Sequence, residues 1–367
     1  MSVKEIRIIF ILFLIAWIVS SSGCGITSAN GRGVISVGHE IPFSFKTGGP
    51  IRSSPTVWAA GRNLVVYVGS DDGNLYAVDP VSRKKLWHTS LLWPVRSSPE
   101  IWPAEEGRML FVGDDGGSVS AINGETGERI WRFTTGEKIR TTPIVWGGAL
   151  YVTSQDGYLY ALDAKTGDEL WRFSMIGPLL SSPKVEMGVV YAGDSSGRLY
   201  AIDGGSMKLY WKSTVGIKPV TAPIISERLI YAGCGDGSVV AVDKKKGKVR
   251  WRFETTSAVI SPPALSEDII YAGSADGNVF AINAETGKEL WSRKVATEVV
   301  SSPVVMGDTI YVGSAGGSLF ALRADTGLTL WECKAKGAVI SSPVVLDTAD
   351  GPLVIFGSAD GILYLVR

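Results

Sequence analysis

An all-β fold, a closed ring of eight four-stranded antiparallel blades (an eight-bladed β-propeller), is predicted by three observations. Prolines stand at positions 55, 99, 143, 183, 223, 263, 303 and 343, each within a Ser-Ser-Pro-like triplet. Tryptophans keep the same step: Trp87, Trp131, Trp171, Trp211, Trp251, Trp291 and Trp331. The step is 40 residues, widening to 44 near the start, and a period in the forties marks an array of supersecondary units. Between these marks lie short apolar runs with Gly or Asp at every joint, the pattern of strands and turns.

One repeat shows all four strands. Pro303 opens a short strand that turns at Met306-Gly307-Asp308. The run from Ile310 is a second strand, Ala315-Gly316-Gly317 a tight turn, and the run from Leu319 a third strand. After a turn at Asp325-Thr326-Gly327, a fourth strand begins at Leu330-Trp331. Asp-Gly pairs at 72, 156, 236, 276 and 360 favour two-residue hairpin turns between second and third strands. Third strands such as Leu159-Tyr160-Ala161-Leu162 are apolar on both faces, so each must be covered on both sides. Sheets stacked face to face around an axis provide that cover.

The copy number follows from counting. The first three strands occur eight times, but tryptophan strands only seven. Phe43 precedes Pro55 by 12 residues, the distance from Trp131 to Pro143, so Phe43 occupies the missing tryptophan slot. The N-terminal strand thus completes the last blade, which removes two open sheet edges at once.

The segments before the ring read as an address. Lys4 and Arg7 precede an apolar stretch, Ile8 to Val19, which is too short to span a bilayer. Small residues then lead to Cys24, so residues 1–23 are expected to be a lipoprotein-type signal peptide with Cys24 the lipid attachment. Residues 24–40 are expected to be a flexible tether, and residues 41–367 the propeller. Three cysteines make no disulfide framework, and Cys234 and Cys333, on blades that are not neighbours, read as packing residues. Lys plus Arg equals Asp plus Glu at 36 each, so no global field attracts nucleic acid. A monomeric propeller is expected.

The joint between third and fourth strands reads Ala-x-Asp/Asn-x-x-Thr-Gly-x-x-x-Trp, complete at 121–131, 161–171 and 281–291. It is degraded at Ser82-Arg83, Ser206-Met207, Lys246-Gly247 and Arg323. This resembles the tryptophan-docking motif of the pyrroloquinoline quinone (PQQ) repeat family, over roughly residues 41–367. The resemblance implies that each tryptophan packs against the Thr-Gly turn of the next blade. In architecture and length the chain is also similar to lipid-anchored members that serve outer-membrane β-barrel assembly. That likeness implies a non-catalytic scaffold on the periplasmic face of the outer membrane, with envelope proteins as partners.

The family also includes PQQ-dependent dehydrogenases, which resemble one another in a vicinal Cys pair, a Ca²⁺ held by Glu and Asn, and an Asp base. The chain has no adjacent cysteines, and His39 and His88 stand alone. No enzyme activity, cofactor or metal is therefore expected. A small-ligand or glycan-binding propeller stays open as an alternative, and the dehydrogenase as a more distant one.

Departures from the repeat are where partner binding is sought. Three residues before the proline stand Arg52, Arg96 and Arg140 in blades one to three, but Leu180, Val220, Ile260, Val300 and Ile340 elsewhere. Three residues after it stand Trp58, Trp102 and Trp146, then Glu186, Ser226, Ser266, Met306 and Leu346. Arg and Trp are enriched at interface hot spots, so these six are the partner-binding candidates. Strand alternation puts the arginines on one disc face, near the channel mouth, and the tryptophans on the other. An equally open reading is recent duplication, with each Arg merely pairing a neighbouring Asp.

Overall fold

The computed structural model describes residues 26–27, 43–60, 63–104 and 107–367. The expected signal segment, Cys24, His39 and the hairpin tips at Gly61 and Glu105 lie outside the described residues.

Among the described residues there are eight antiparallel sheets, each a meander of consecutive strands apart from an N-terminal strand added to two of them. Blade three is representative: Ile144–Trp146, Ala149–Thr153, Tyr158–Asp163 and Glu169–Ser174. Its third strand is buried along four consecutive residues, as two-sided cover requires, whereas its fourth alternates and faces outward. Eight apolar clusters lie one between each pair of neighbouring blades, the last joining Leu363 and Leu365 to Val66 and Val68 of blade one. Stability is thus distributed around the ring as a series of interfaces.

The ring closes as expected. Phe43–Lys46 pairs with Ile362–Val366, and Phe43 sits opposite Leu365, as Trp171 sits opposite Ala161. Phe43 and Phe45 pack on the cluster between blades eight and one. Deleting residues 43–46 is expected to cost at least about 3 kcal/mol in urea unfolding, the low end for losing one packed Phe. The freed edge of Ile362–Val366 should also drive self-association, read as a second species in sedimentation.

The tryptophan slot is built by a repeated irregularity. In blade three the register shifts between Ala161 and Leu162, a bulge that turns Trp171 toward blade four. Trp131, Trp171, Trp211, Trp251 and Trp291 each donate Nε1–H to a backbone carbonyl in the turn of the next blade, at 2.9–3.1 Å. The rings lie on the turn glycines: a Cβ on Gly167 (φ +80°) would come within 2.6 Å of Trp131. Trp87 lies on Gly127 in the same way, and Trp331 packs between blades seven and eight.

Three details differ from expectation. The second-to-third-strand turns are wider than two-residue hairpins: Ser70 N–H bonds Asn74 O, Gly73 N–H bonds Ser70 O, and only Gly73 is left-handed (φ 84°). The extra room lets the Asp72 carboxylate accept from Asn74 N–H, Tyr76 Oη and Gly48 N–H of the incoming linker. These Asp residues therefore tie turns to linkers. Second, Ile26 and Thr27, inside the expected tether, form a short strand against Cys333 and Glu332 on the free outer edge of blade seven. Third, Cys333 is disulfide-bonded, so it is more than a packing residue. Cys234 is free and buried, its thiol pushed up to about 11 by that burial.

Candidate functional site

The arginine face is built where linkers enter the innermost strands. Val95 N–H bonds Ser70 O, which lays the start of blade two beside the Asp71 turn of blade one. Ile139 N–H bonds Asp114 O and repeats the arrangement one blade on. The outcome is a ladder of alternating charge. Arg52 Nε donates to Asp71 at 2.9 Å, and Arg96 Nε to the same carboxylate at 2.8 Å. Arg96 Nη1 reaches Asp115 at 3.1 Å, and Arg140 grips Asp115 through Nε and Nη2, both at 2.8 Å. The three sequence-predicted arginines are thus brought together, each paired with Asp.

Burial shapes their electrostatics. The two carboxylates are 11% and 9% exposed, against 28–38% for the arginines. Burial by itself would raise the Asp115 carboxyl, but the Arg140 hydrogen bond and the charges of Arg140 and Arg96 bring it below its ordinary value. The Asp71 hydrogen bond raises Arg96, against its own burial.

The three sequence-predicted tryptophans reach the opposite rim but do not form one exposed patch. Trp58 packs in the core between blades one and two, with the Arg108 guanidinium 5.5 Å from its ring centre. Trp102 packs 6.2 Å from Phe111. Trp146 is 45% exposed and lies over Gly188 of blade four. It is the available apolar anchor of the three.

Between the two faces runs the channel. In four of the Ser-Ser-Pro-like triplets the middle residue reaches the next blade: Ser302 N–H to Ser342, Ser342 N–H to Ser54, Ser54 N–H to Ser98, and Thr142 N–H to Ser182, at 2.9–3.0 Å. The same slot holds Ala222 in blade five and Pro262 in blade six, where no hydroxyl is available.

Two residues further along the inner strand, Glu100 occupies a slot that is aliphatic in five blades (Ile144, Ile224, Ala264, Val304, Val344), Thr56 in blade one and Lys184 in blade four. Burial pushes its carboxyl up to about 7, against the charge of Lys184 and the Val145 N–H. Sequence reading missed Glu100, although a carboxylate in a mostly aliphatic slot was a visible signal. It also missed Asp71 and Asp115, which look like ordinary turn residues. At the far end of the inner strands, Glu186 pairs with Lys244 at 2.7 Å. His88 stacks on Tyr76 in the outer strand of blade one, away from the channel.

The donor set does not fit a calcium-bound quinone. Ca²⁺ takes six to eight oxygen ligands. Among the described residues no three His, Cys, Asp or Glu side chains converge to hold a metal. Of the inner-strand carboxylates, Glu186 already has a cation partner and Glu100 faces Lys184.

No curated protein matches the chain. The crystal structure of BamB from Moraxella catarrhalis is similar at TM-score 0.73 and 18% identity, covering 88% of this chain and 98% of that one. The computationally designed Ika8 protein is similar at TM-score 0.78 and 18% identity, covering 90% and 100%. Quinohemoprotein alcohol dehydrogenase from Comamonas testosteroni gives 0.73 at 15%, covering 88% and 75%. At such identities these likenesses establish the eight-bladed fold and nothing finer. The family model described as outer membrane protein assembly factor BamB matches residues 43–136, 71–232, 155–297 and 235–367, the whole of the ring. The chain therefore belongs to the outer membrane protein assembly factor BamB family of PQQ-repeat propellers.

Proposed function

We propose that this protein is a non-catalytic scaffold that binds envelope proteins during outer-membrane β-barrel assembly, held at the periplasmic face of the outer membrane by lipid on Cys24. The observation that carries this reading is the family match over the full ring. Partner contacts are assigned to the sector of blades one to three. Arg52, Arg96 and Arg140 act on one face; Trp146, with Trp58 and Trp102 in the two preceding blades, acts on the other.

The test is a pull-down from detergent-solubilised native envelope. The baits are the full chain, Arg140→Gln and Trp146→Ala. Wild type is expected to recover a β-barrel assembly protein, and loss in one variant assigns the contact to that face. Recovery of none by wild type overturns the scaffold reading; equal recovery by both variants overturns the sector assignment. Mass spectrometry of the same preparation checks the anchor. A thioether-linked lipid on Cys24 is expected, and a Cys24 without lipid overturns the anchor.

A further inference from the structure

The charge ladder is one carboxylate short. In each complete step a turn Asp lies between the arginine of its own blade and that of the next: Asp71 between Arg52 and Arg96, Asp115 between Arg96 and Arg140. Arg96 uses all three guanidinium nitrogens on these two carboxylates. Arg52 uses only Nε, and among the described residues its two terminal nitrogens have no acceptor. Ile51 N–H bonds Ser358 O, just as Val95 N–H bonds Ser70 O. Arg52 therefore stands to the blade-eight turn as Arg96 stands to Asp71. The blade-eight residue at that place is Ala359.

The neighbours of this notch are aliphatic. Ile340 is the blade-eight counterpart of Arg52 and is half-buried, and Val300 follows in blade seven. Further around the mouth, Ile260 and Leu180 are about half exposed, at 49% and 54%. One side of the notch thus offers two unused guanidinium donors in a geometry suited to bidentate carboxylate recognition, and the other offers apolar surface.

We propose that the notch between Arg52 and Ile340, over Ala359, receives the terminal carboxylate of an extended polypeptide whose last side chain is apolar. The inference rests on the scaffold reading and deepens it by naming what the face selects. A chain terminus fits better than a side-chain carboxylate, because one terminal residue carries both the anion and the adjoining apolar group. The bound carboxylate would stand where Asp71 and Asp115 stand in the next two blades and would balance three arginines against three anions.

The test is fluorescence anisotropy on the full chain, with a short fluorescein-labelled Ser/Thr peptide ending in Val-Leu. The probe is used as the free acid, as the C-terminal amide, and as an amide carrying one internal Asp. Wild type should bind the free acid at least about tenfold tighter than either amide, the size of a charge-assisted pair. Arg52→Gln should abolish that preference. Ala359→Asp supplies the missing carboxylate internally, so it should also abolish the preference while raising the urea midpoint. That rise reports a folded ring. Equal binding of acid and amide, no binding of the acid, or a preference that survives Ala359→Asp overturns the proposal. Equal binding of acid and internal-Asp amide overturns the terminal assignment. Envelope capture by wild type in the pull-down, together with any of these results, leaves the scaffold reading standing and removes only the notch.

Discussion

Trp131→Ala is expected to lower the free energy of unfolding by about 3 kcal/mol in urea titration, the low end for a large aromatic, since the ring is only half-buried. Three contacts disappear together. The ring packs on Phe111 at 5.7 Å, covers Gly167 of blade three, and donates Nε1–H to Ala164 O at 3.1 Å. Trp131→Phe keeps most of the packing and loses the hydrogen bond, so a cost of about 1 kcal/mol is expected. Trp87 supplies the contrast. Its Nε1 is buried without an acceptor, and the equivalent carbonyl, Gly124 O, accepts instead from Tyr67 Oη at 2.7 Å. Trp87→Phe should therefore be neutral or stabilising. Equal costs for the two Phe substitutions would refute the account of docking by hydrogen bond.

The second large effect is a pH dependence centred on Glu100. Its carboxyl is pushed from 4.5 to about 7 chiefly by burial, so the folded ring favours the protonated acid. A carboxyl raised in the folded state gives its full stability below the unfolded value. That stability declines as pH rises through the interval up to about 7, then stays at the lower level. The size of the shift corresponds to about 3 kcal/mol between pH 4 and pH 8. Glu100→Gln keeps an acceptor for Val145 N–H without the charge. It should equal wild type near pH 4 and exceed it by about 2–3 kcal/mol at pH 8. Lys184→Met removes the favourable charge and should move the wild-type decline to higher pH. A flat stability profile for wild type from pH 4 to pH 8 would exclude this role for Glu100.

Much of the architecture was legible because a propeller writes each blade in the same spacing. The count of prolines against tryptophans was enough to assign Phe43 to the eighth docking slot, and its register opposite Leu365 agrees. The Arg52, Arg96 and Arg140 series was visible as a break in the repeat, and pairing with a neighbouring Asp was one of its two readings, but which Asp was not legible. Asp71 and Asp115 differ from other turn residues only in which arginine the neighbouring blade brings alongside, a relation across blades that spacing within one blade cannot express. The turn type was misjudged for a related reason. Asp-Gly favours a two-residue hairpin locally, but at Asp72 the carboxylate is committed to the linker from the preceding blade, which needs a wider turn. Trp58 and Trp102 were read as exposed anchors from residue type. Instead Arg108 of blade two lies over Trp58, and Trp102 packs beside Phe111 against the core between blades two and three.

The closing strand also dictates an order of events in the life of the chain. Residues 43–46 are made first and must wait for 362–366 before they find their partner. Throughout synthesis the growing array is an arc with an unpaired strand at its start, and contacts of such sequence separation form late. Protection of that strand falls to whatever accompanies the nascent chain. The native ring forms in a single final step, like a clasp fastened after the necklace is strung. A lesion in blade eight would therefore strand a nearly complete molecule, whereas one in an interior blade would weaken a ring that had already closed.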